Sequence, residues 1–289
     1  MNPQIVLCSD ALTATICPAQ GGALAALDAL HNGERHPLLR QNSPDAENFA
    51  PGLMVLAPFS NRIADGFAFE GTRHDLAVNR DGERYPIHGD AFQKVWSVER
   101  ANGTEAVLSL DGAFGPWRYR ARLTYTLEGS SLAMRLAMTN TGPRLPFGGG
   151  FHPWFFRDEA TRLAFRANAV WLETADHLPD RMLQLGETPE WDFAAGRTVP
   201  ACFLNNAFTG WDGHARVEQP SQGLATIVTA AAPLDVLIVH TREGAPFICA
   251  EPVSHAVDAH NAPGQPGLVP LDTGETLDLA MSIAWTALD

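Results

Sequence analysis

The sequence predicts an all-β fold: a large antiparallel β-sandwich, formed as one domain over residues 1–289. Three observations carry this. Apolar and polar residues alternate with period 2 over several long segments, which sets one strand face on a core and the other toward solvent or a second layer. Twenty-five glycines and 21 prolines punctuate the whole chain, as many short strands joined by turns require. Helical patterning is scarce, and no fixed-period repeat or low-complexity linker divides the chain. One all-β domain of this length is ordinary.

In chain order, Ala23 to Leu30 is rich in alanine and leucine but follows the Gly21-Gly22 pair, and reads equally as helix or strand. Leu53 to Ala57 is a short apolar run. Tyr119, Ala121, Leu123, Tyr125 and Leu127 alternate with Arg120, Arg122, Thr124 and Thr126. Leu132, Met134, Leu136 and Met138 alternate with Ala133, Arg135, Ala137 and Thr139. Thr174 to Gly213, rich in Pro, Asp, Asn and Gly, is expected to form long loops; such loops in a compact domain are usually functional or covering. Leu234 to His240 reads as a buried strand, and Leu277, Leu279, Met281, Ile283 and Trp285 mark a final alternating one.

Composition narrows the function. Hydrophobic residues make up 45% and charged residues 18%, fitting a globular protein with a substantial core. The net charge of −13, without a Lys/Arg cluster, disfavours nucleic acid and anionic membranes as partners. Cys8, Cys17, Cys202 and Cys249 show no CxxC spacing, against a cysteine zinc site or a disulfide framework. No signal peptide and no membrane-length apolar run is read, so a cytoplasmic location is expected.

Four segments set polar groups among aromatic, glycine or proline residues. Phe147 to Phe155 holds three glycines and then Phe151-His152-Pro153-Trp154-Phe155. Glycines allow close approach of backbone to a ligand, and the aromatics can stack on it or shield it; an aromatic core around a satisfied histidine is the alternative. Glu251-Pro252-Val253-Ser254-His255 follows an apolar run, and a buried carboxylate there must find partners, functional or structural. Together His152 and Glu251 supply an imidazole and a carboxylate, the two ends of a proton shuttle. Asn61-Arg62 follows Pro58-Phe59-Ser60, where an arginine can donate several fixed hydrogen bonds to hydroxyls or pin a loop carbonyl. His88-Gly89 follows a proline turn and places an imidazole on a tight loop. Histidines 88, 152, 240, 255 and 260 lack metal-ligand spacing, and no GxSxG or strand-following GxGxxG occurs, so no metal, nucleophile or dinucleotide is expected.

These segments together resemble the aldose 1-epimerase (galactose mutarotase) family. The matching stretches are Asn61 to Gly66, His88-Gly89, His152 to Phe155, Phe208 to Gly213, and Glu251 to His255, in the family's order across nearly the whole chain. The resemblance implies a sandwich of the galactose-mutarotase type and a cofactor-independent isomerase acting on a monosaccharide. Glu251 matches the general base that deprotonates the C1 hydroxyl, and His152 the acid that protonates the ring oxygen. Arg62 and His88 match sugar-binding positions, with Asn61 beside them and Trp154 as an aromatic neighbour of the sugar.

One position departs. Many members carry an aspartate where this chain has Asn205, and a neutral amide there alters which hydroxyls are recognised. Asp212 is a candidate to compensate, and His255 to orient the base or touch the sugar. Two other functions stay open on the same scaffold. One is a carbohydrate-binding or sensing protein without turnover. The other is an enzyme for a phosphorylated sugar, for which Arg62, Arg73, Arg80 and Arg84 are the nearby cations.

Overall fold

The computed structural model describes residues 4–40 and 51–288. Two large sheets make up the fold. Across the first, the order is Ile5–Cys8, Leu12–Cys17, Ala23–His31, Leu53–Leu56, Gly150–Phe156, Phe247–Val253, Val236–Thr241, Leu204–Thr209, Ala169–Glu173 and Pro179–Gln184, with Glu34–Pro37 pairing Ala23–His31 off this path. Across the second it is Arg197–Thr198, Arg162–Phe165, His214–Gln219, Leu224–Ala230, Thr276–Ala287, Ser131–Asn140, Trp117–Glu128, Glu105–Phe114 and Ser97–Ala101. The pairings at the centre of both sheets are antiparallel. Among the described residues helix is confined to four single 3₁₀ turns, and no helix is long and apolar enough to cross a membrane.

The alternation in the sequence becomes the core. Tyr119, Ala121, Leu123, Tyr125 and Leu127 are buried while Arg120, Arg122 and Thr126 are exposed. The inward residues of both sheets, among them Val55, Phe151, Ala250, Leu136 and Ile283, form one continuous apolar cluster. Because successive side chains point to opposite faces, Met54, Leu56, Trp154, Cys249 and Ile238 meet on the outer face of the first sheet, in a smaller cluster. The candidate site lies on that face.

Ala23 to Leu30 is a strand, Ala23–His31. It is covered on both faces, which removes the period-2 signal and leaves a run of apolar residues. The stretch from Thr174 to Gly213 departs from the loop expectation. It contains the strands Pro179–Gln184, Arg197–Thr198 and Leu204–Thr209 and two 3₁₀ turns. Pro179–Gln184 is an edge strand with mostly exposed side chains, so it needs no apolar pattern. Leu204–Thr209 carries Asn205-Asn206 and is held in place by pairing on both sides.

The His88 loop is tied to both sheets. Asn79 Oδ1 accepts the Ile87 N–H, and its Nδ2 donates to the Ile87 and Gly89 carbonyls. Asp90 is buried and accepts the Tyr119 hydroxyl at 2.7 Å from the second sheet. Gly89 (φ 66°) leaves no room: a Cβ there would lie 1.9 Å from the Ala57 carbonyl oxygen. Gly89→Ala is therefore expected to cost on the order of 1–3 kcal/mol, read as a lower urea midpoint at unchanged slope. An unchanged midpoint would show that the loop is free to shift.

Candidate active site

His152 and Glu251 sit on neighbouring strands. Gly150 pairs with Val253 and Trp154 with Cys249, so the two residues midway between these pairs face each other on the outer side of the sheet. His152 Nε2 lies 3.2 Å from Glu251 Oε1. Both side chains are nearly sealed, with 7% and 3% of their surface accessible. Burial disfavours whichever form is charged, so it holds Glu251 well above the usual carboxylate range and His152 well below the usual imidazole range. Arg62 acts the other way on Glu251 but more weakly. Glu251 Oε2 is buried without a hydrogen-bond partner among the described residues. A native fold rarely leaves such an atom orphaned, and a ligand hydroxyl is the natural explanation.

A second arm comes from the loops at Asn61 and His88, both in the left-handed region (φ 53° and 62°). Asn61 donates its N–H to His88 Nδ1 at 2.9 Å, and its carbonyl accepts the His88 N–H at 3.0 Å. Accepting at Nδ1 fixes the neutral tautomer of His88 that carries its proton on Nε2. Burial, together with Arg62, holds that ring well below the usual imidazole range. The His88 ring stands edge-on to His152, with centroids 5.4 Å apart. Arg62 places Nε and Nη2 on Glu83 Oε2 at 3.0 and 2.9 Å, and Arg80 reaches Glu83 Oε1 at 3.2 Å. Arg62 thus pins a carboxylate rather than a loop carbonyl. Arg73 and Arg84 pair with Asp75 and Asp176. The four arginines considered for a phosphate are each matched by a carboxylate and do not form a basic pocket.

Trp154 is not an open stacking platform. It is buried, and its ring stacks on His152 with centroids 3.9 Å apart. The Arg40 guanidinium lies 4.0 Å from the same ring, and the two groups are too close to share one face. With both faces occupied, Trp154 positions His152 instead of meeting a sugar. Burial lowers Arg40 to about 10. The three glycines also serve the protein itself. A Cβ on Gly148 would strike His255 Cδ2 at 2.3 Å, and one on Gly150 would strike the Pro252 carbonyl at 2.3 Å. Gly148 and Gly150 seat the His152 strand against the Glu251 segment, and a Cβ on Gly149 would strike the Leu56 carbonyl at 2.3 Å.

His255 accepts the Ser60 N–H at Nε2 (3.1 Å), and its Nδ1 bonds the Ala256 carbonyl (2.8 Å). Both nitrogens are spent on backbone, so it clamps the Ser60–Arg62 loop to the end of the Glu251 strand and has nothing left for base or sugar. Asp212 is exposed and accepts the His214 N–H, capping a turn, which removes it as a substitute for an aspartate at position 205. Asn205 faces the site side of its strand and donates to Glu173 Oε2 at 2.7 Å.

Sequence reasoning weighed His240 only as a metal ligand and passed over Glu173. His240 pairs with Cys249 on one side and Asn205 on the other, placing it on the same face. It is half-buried, and burial brings it down to about 4. Its apolar lead-in, Val236 to Val239, reads as core, and only the alternation marks it as outward. Among the described residues the five histidines pair (His88 with His152, His255 with His260) but no three of them form a ligand cluster. The ligand atoms that do converge, within 4.8 Å, are those of His152, Cys249 and Glu251. Burial and the neighbouring Glu251 hold the Cys249 thiol well above its usual range. A cavity of about 510 Å³ is lined by Trp171, Val236, Val257 and, just past Glu251, Ser254 and His255; neither His152 nor Glu251 lines it.

The family model described as aldose 1-epimerase matches residues 3–284. The chain belongs to the aldose 1-epimerase family. The uncharacterized protein YphB of Escherichia coli (strain K12) is 30% identical over 261 residues, covering 86% of this chain and 89% of that protein. A solved structure from Escherichia coli K12 is 28% identical, covers 99% of each chain and has a TM-score of 0.92. The galactose 1-epimerase of Lactobacillus acidophilus NCFM, at 18% identity, covers 99% of this chain and 95% of its own, with a TM-score of 0.80. That last likeness establishes the sandwich as the family's fold.

Proposed function

We propose that the protein is a cofactor-independent mutarotase that interconverts the α and β anomers of a free aldose. The observation that carries this reading is the buried, partnerless Glu251 Oε2 beside a carboxylate–imidazole contact of 3.2 Å. The two oxygens that exchange protons, the C1 hydroxyl and the ring oxygen, share one carbon, so acid and base must be immediate neighbours. Glu251 removes the C1 hydroxyl proton while His152 delivers its Nε2 proton to the ring oxygen, and the bond from C1 to the ring oxygen breaks. The aldehyde turns about C1–C2, the chain hydroxyl attacks the other face, and both protons return. Roughly 10²–10⁴-fold per positioned group is the ordinary reach of such catalysis.

The proton inventory suits a dry site. Before ring opening the pair is imidazolium and carboxylate; after it, imidazole and carboxylic acid. Both states have zero net charge. In water the ion pair is the favoured arrangement, and burial, which raises Glu251 and lowers His152, shifts the balance toward neutral imidazole and carboxylic acid. In this reading His88 and Arg62, the latter held by Glu83, are the sugar-binding neighbours of the pair.

Polarimetry on freshly dissolved α-D-glucose, α-D-galactose and pentoses tests the reading. Faster relaxation to an unchanged final rotation is the expected result. Sugar binding without acceleration would favour the sensing protein. The pH profile is a second test. Activity is lost on the acid side when the pair gains a second proton, and burial opposes that. The acid limb of kcat/KM is therefore expected below the ordinary imidazole value of 6.5. An acid limb at or above that value contradicts a desolvated pair.

A further inference from the structure

We propose that Glu173 is the specificity-determining residue of the site, holding a sugar hydroxyl at the end of the ring remote from His152 and Glu251. This rests on the mutarotase reading. Trp171 pairs with Ala207, and Asn205 with His240, so Glu173, two residues beyond Trp171, lies beside Asn205 on the same face. Its Oε2 takes the Asn205 Nδ2–H at 2.7 Å and contacts His177 Nδ1 at 3.1 Å. Its Oε1 has no hydrogen-bond partner among the described residues, and the side chain keeps 20% of its surface exposed. One carboxylate oxygen is thus anchored and the other is presented.

Asn205 completes the acceptor. With its amide nitrogen committed to Glu173, its Oδ1 is the second oxygen turned away from that contact, and it too has no partner among the described residues. Two adjacent acceptors fit two neighbouring hydroxyls of an aldose. The Asn205 strand lies two strand spacings from that of Glu251 and the Glu173 strand three, about 10 and 14 Å; Glu173 reaches back to Asn205, so the pair stands roughly one sugar ring with a hydrogen bond at either end from Glu251. A carboxylate at 205 would face Glu173 across the present 2.7 Å contact, where like charges repel. Residues 173 and 205 therefore form a unit, and the negative charge that the resemblance places at 205 sits one strand further out.

The test is an exchange of the two groups, read by polarimetric kcat and KM on the aldose panel. Glu173→Gln is expected to raise KM about tenfold or more for the preferred sugar, with the larger share of the loss in KM. Asn205→Asp alone is expected to raise KM similarly, and Asn205→Asp/Glu173→Gln to recover most of that loss, because amide and carboxylate have traded places. An unchanged KM for Glu173→Gln, a lower melting temperature without a KM effect, or additive losses in the double variant would each overturn the assignment. Wild-type turnover decides the mutarotase reading separately. If the wild type binds an aldose without turning it over, the same variants are read as Kd by calorimetry. A wild type that binds none overturns both.

Discussion

Glu251→Gln is expected to lower kcat by roughly 10³-fold while leaving sugar affinity close to that of the parent. The substitution keeps the shape of the side chain and a hydrogen-bonding group opposite His152, and removes only the capacity to take a proton. A change confined to the transition state falls on kcat and kcat/KM alike. Stability gives an internal control. Burial raises Glu251, so the folded chain binds that proton more tightly than the unfolded chain does. The ionised group therefore destabilises the fold as pH rises above the unfolded value. Glutamine relieves this, and the melting temperature at neutral pH is expected to equal or exceed the parent's. Loss of turnover in a protein at least as stable can only be chemical; an unchanged kcat removes Glu251 from the mechanism.

His152→Ala is expected to lower kcat by 10²–10⁴-fold. The ring also fills the space between Trp154 and Glu251, so alanine leaves a void, and part of the effect could come from the Trp154–Arg40 stack relaxing. His152→Asn separates the two contributions by restoring volume and a donor without a titratable proton. Both variants are expected to keep an acid limb, since Glu251 must still be ionised, and to lose any alkaline limb that reports loss of the His152 proton. A kcat loss under about tenfold in either variant argues against His152 as the acid.

Much of this was legible in the sequence. Long alternating strands announce themselves because one face must be apolar, as in Trp117–Glu128 and Thr276–Ala287. Ala23–His31, buried on both faces, and Pro179–Gln184, exposed on an edge, lack that contrast and were ambiguous or missed. At the site, His152 and Glu251 were visible because each sits in a short motif with its own glycines or prolines. Arg40 over Trp154, Glu83 under Arg62 and Glu173 against Asn205 were not, since each pair joins residues from separate segments and neither partner is unusual in its local sequence. The expected roles of Trp154, Asp212 and His255 gave way for the same reason: their partners are set by packing.

The opposition of His152 and Glu251 across two paired strands has a practical consequence. Shifting one of those strands by a single residue would send its outward side chains inward, putting Ala250 or Phe151 where the proton carriers stand. A chain so mispaired would keep nearly all its strand content, and circular dichroism would scarcely register the error, yet it would be inert. Polarimetry on refolded material would therefore count correctly zipped molecules, making turnover a gauge of folding fidelity that spectroscopic measures of secondary structure cannot supply.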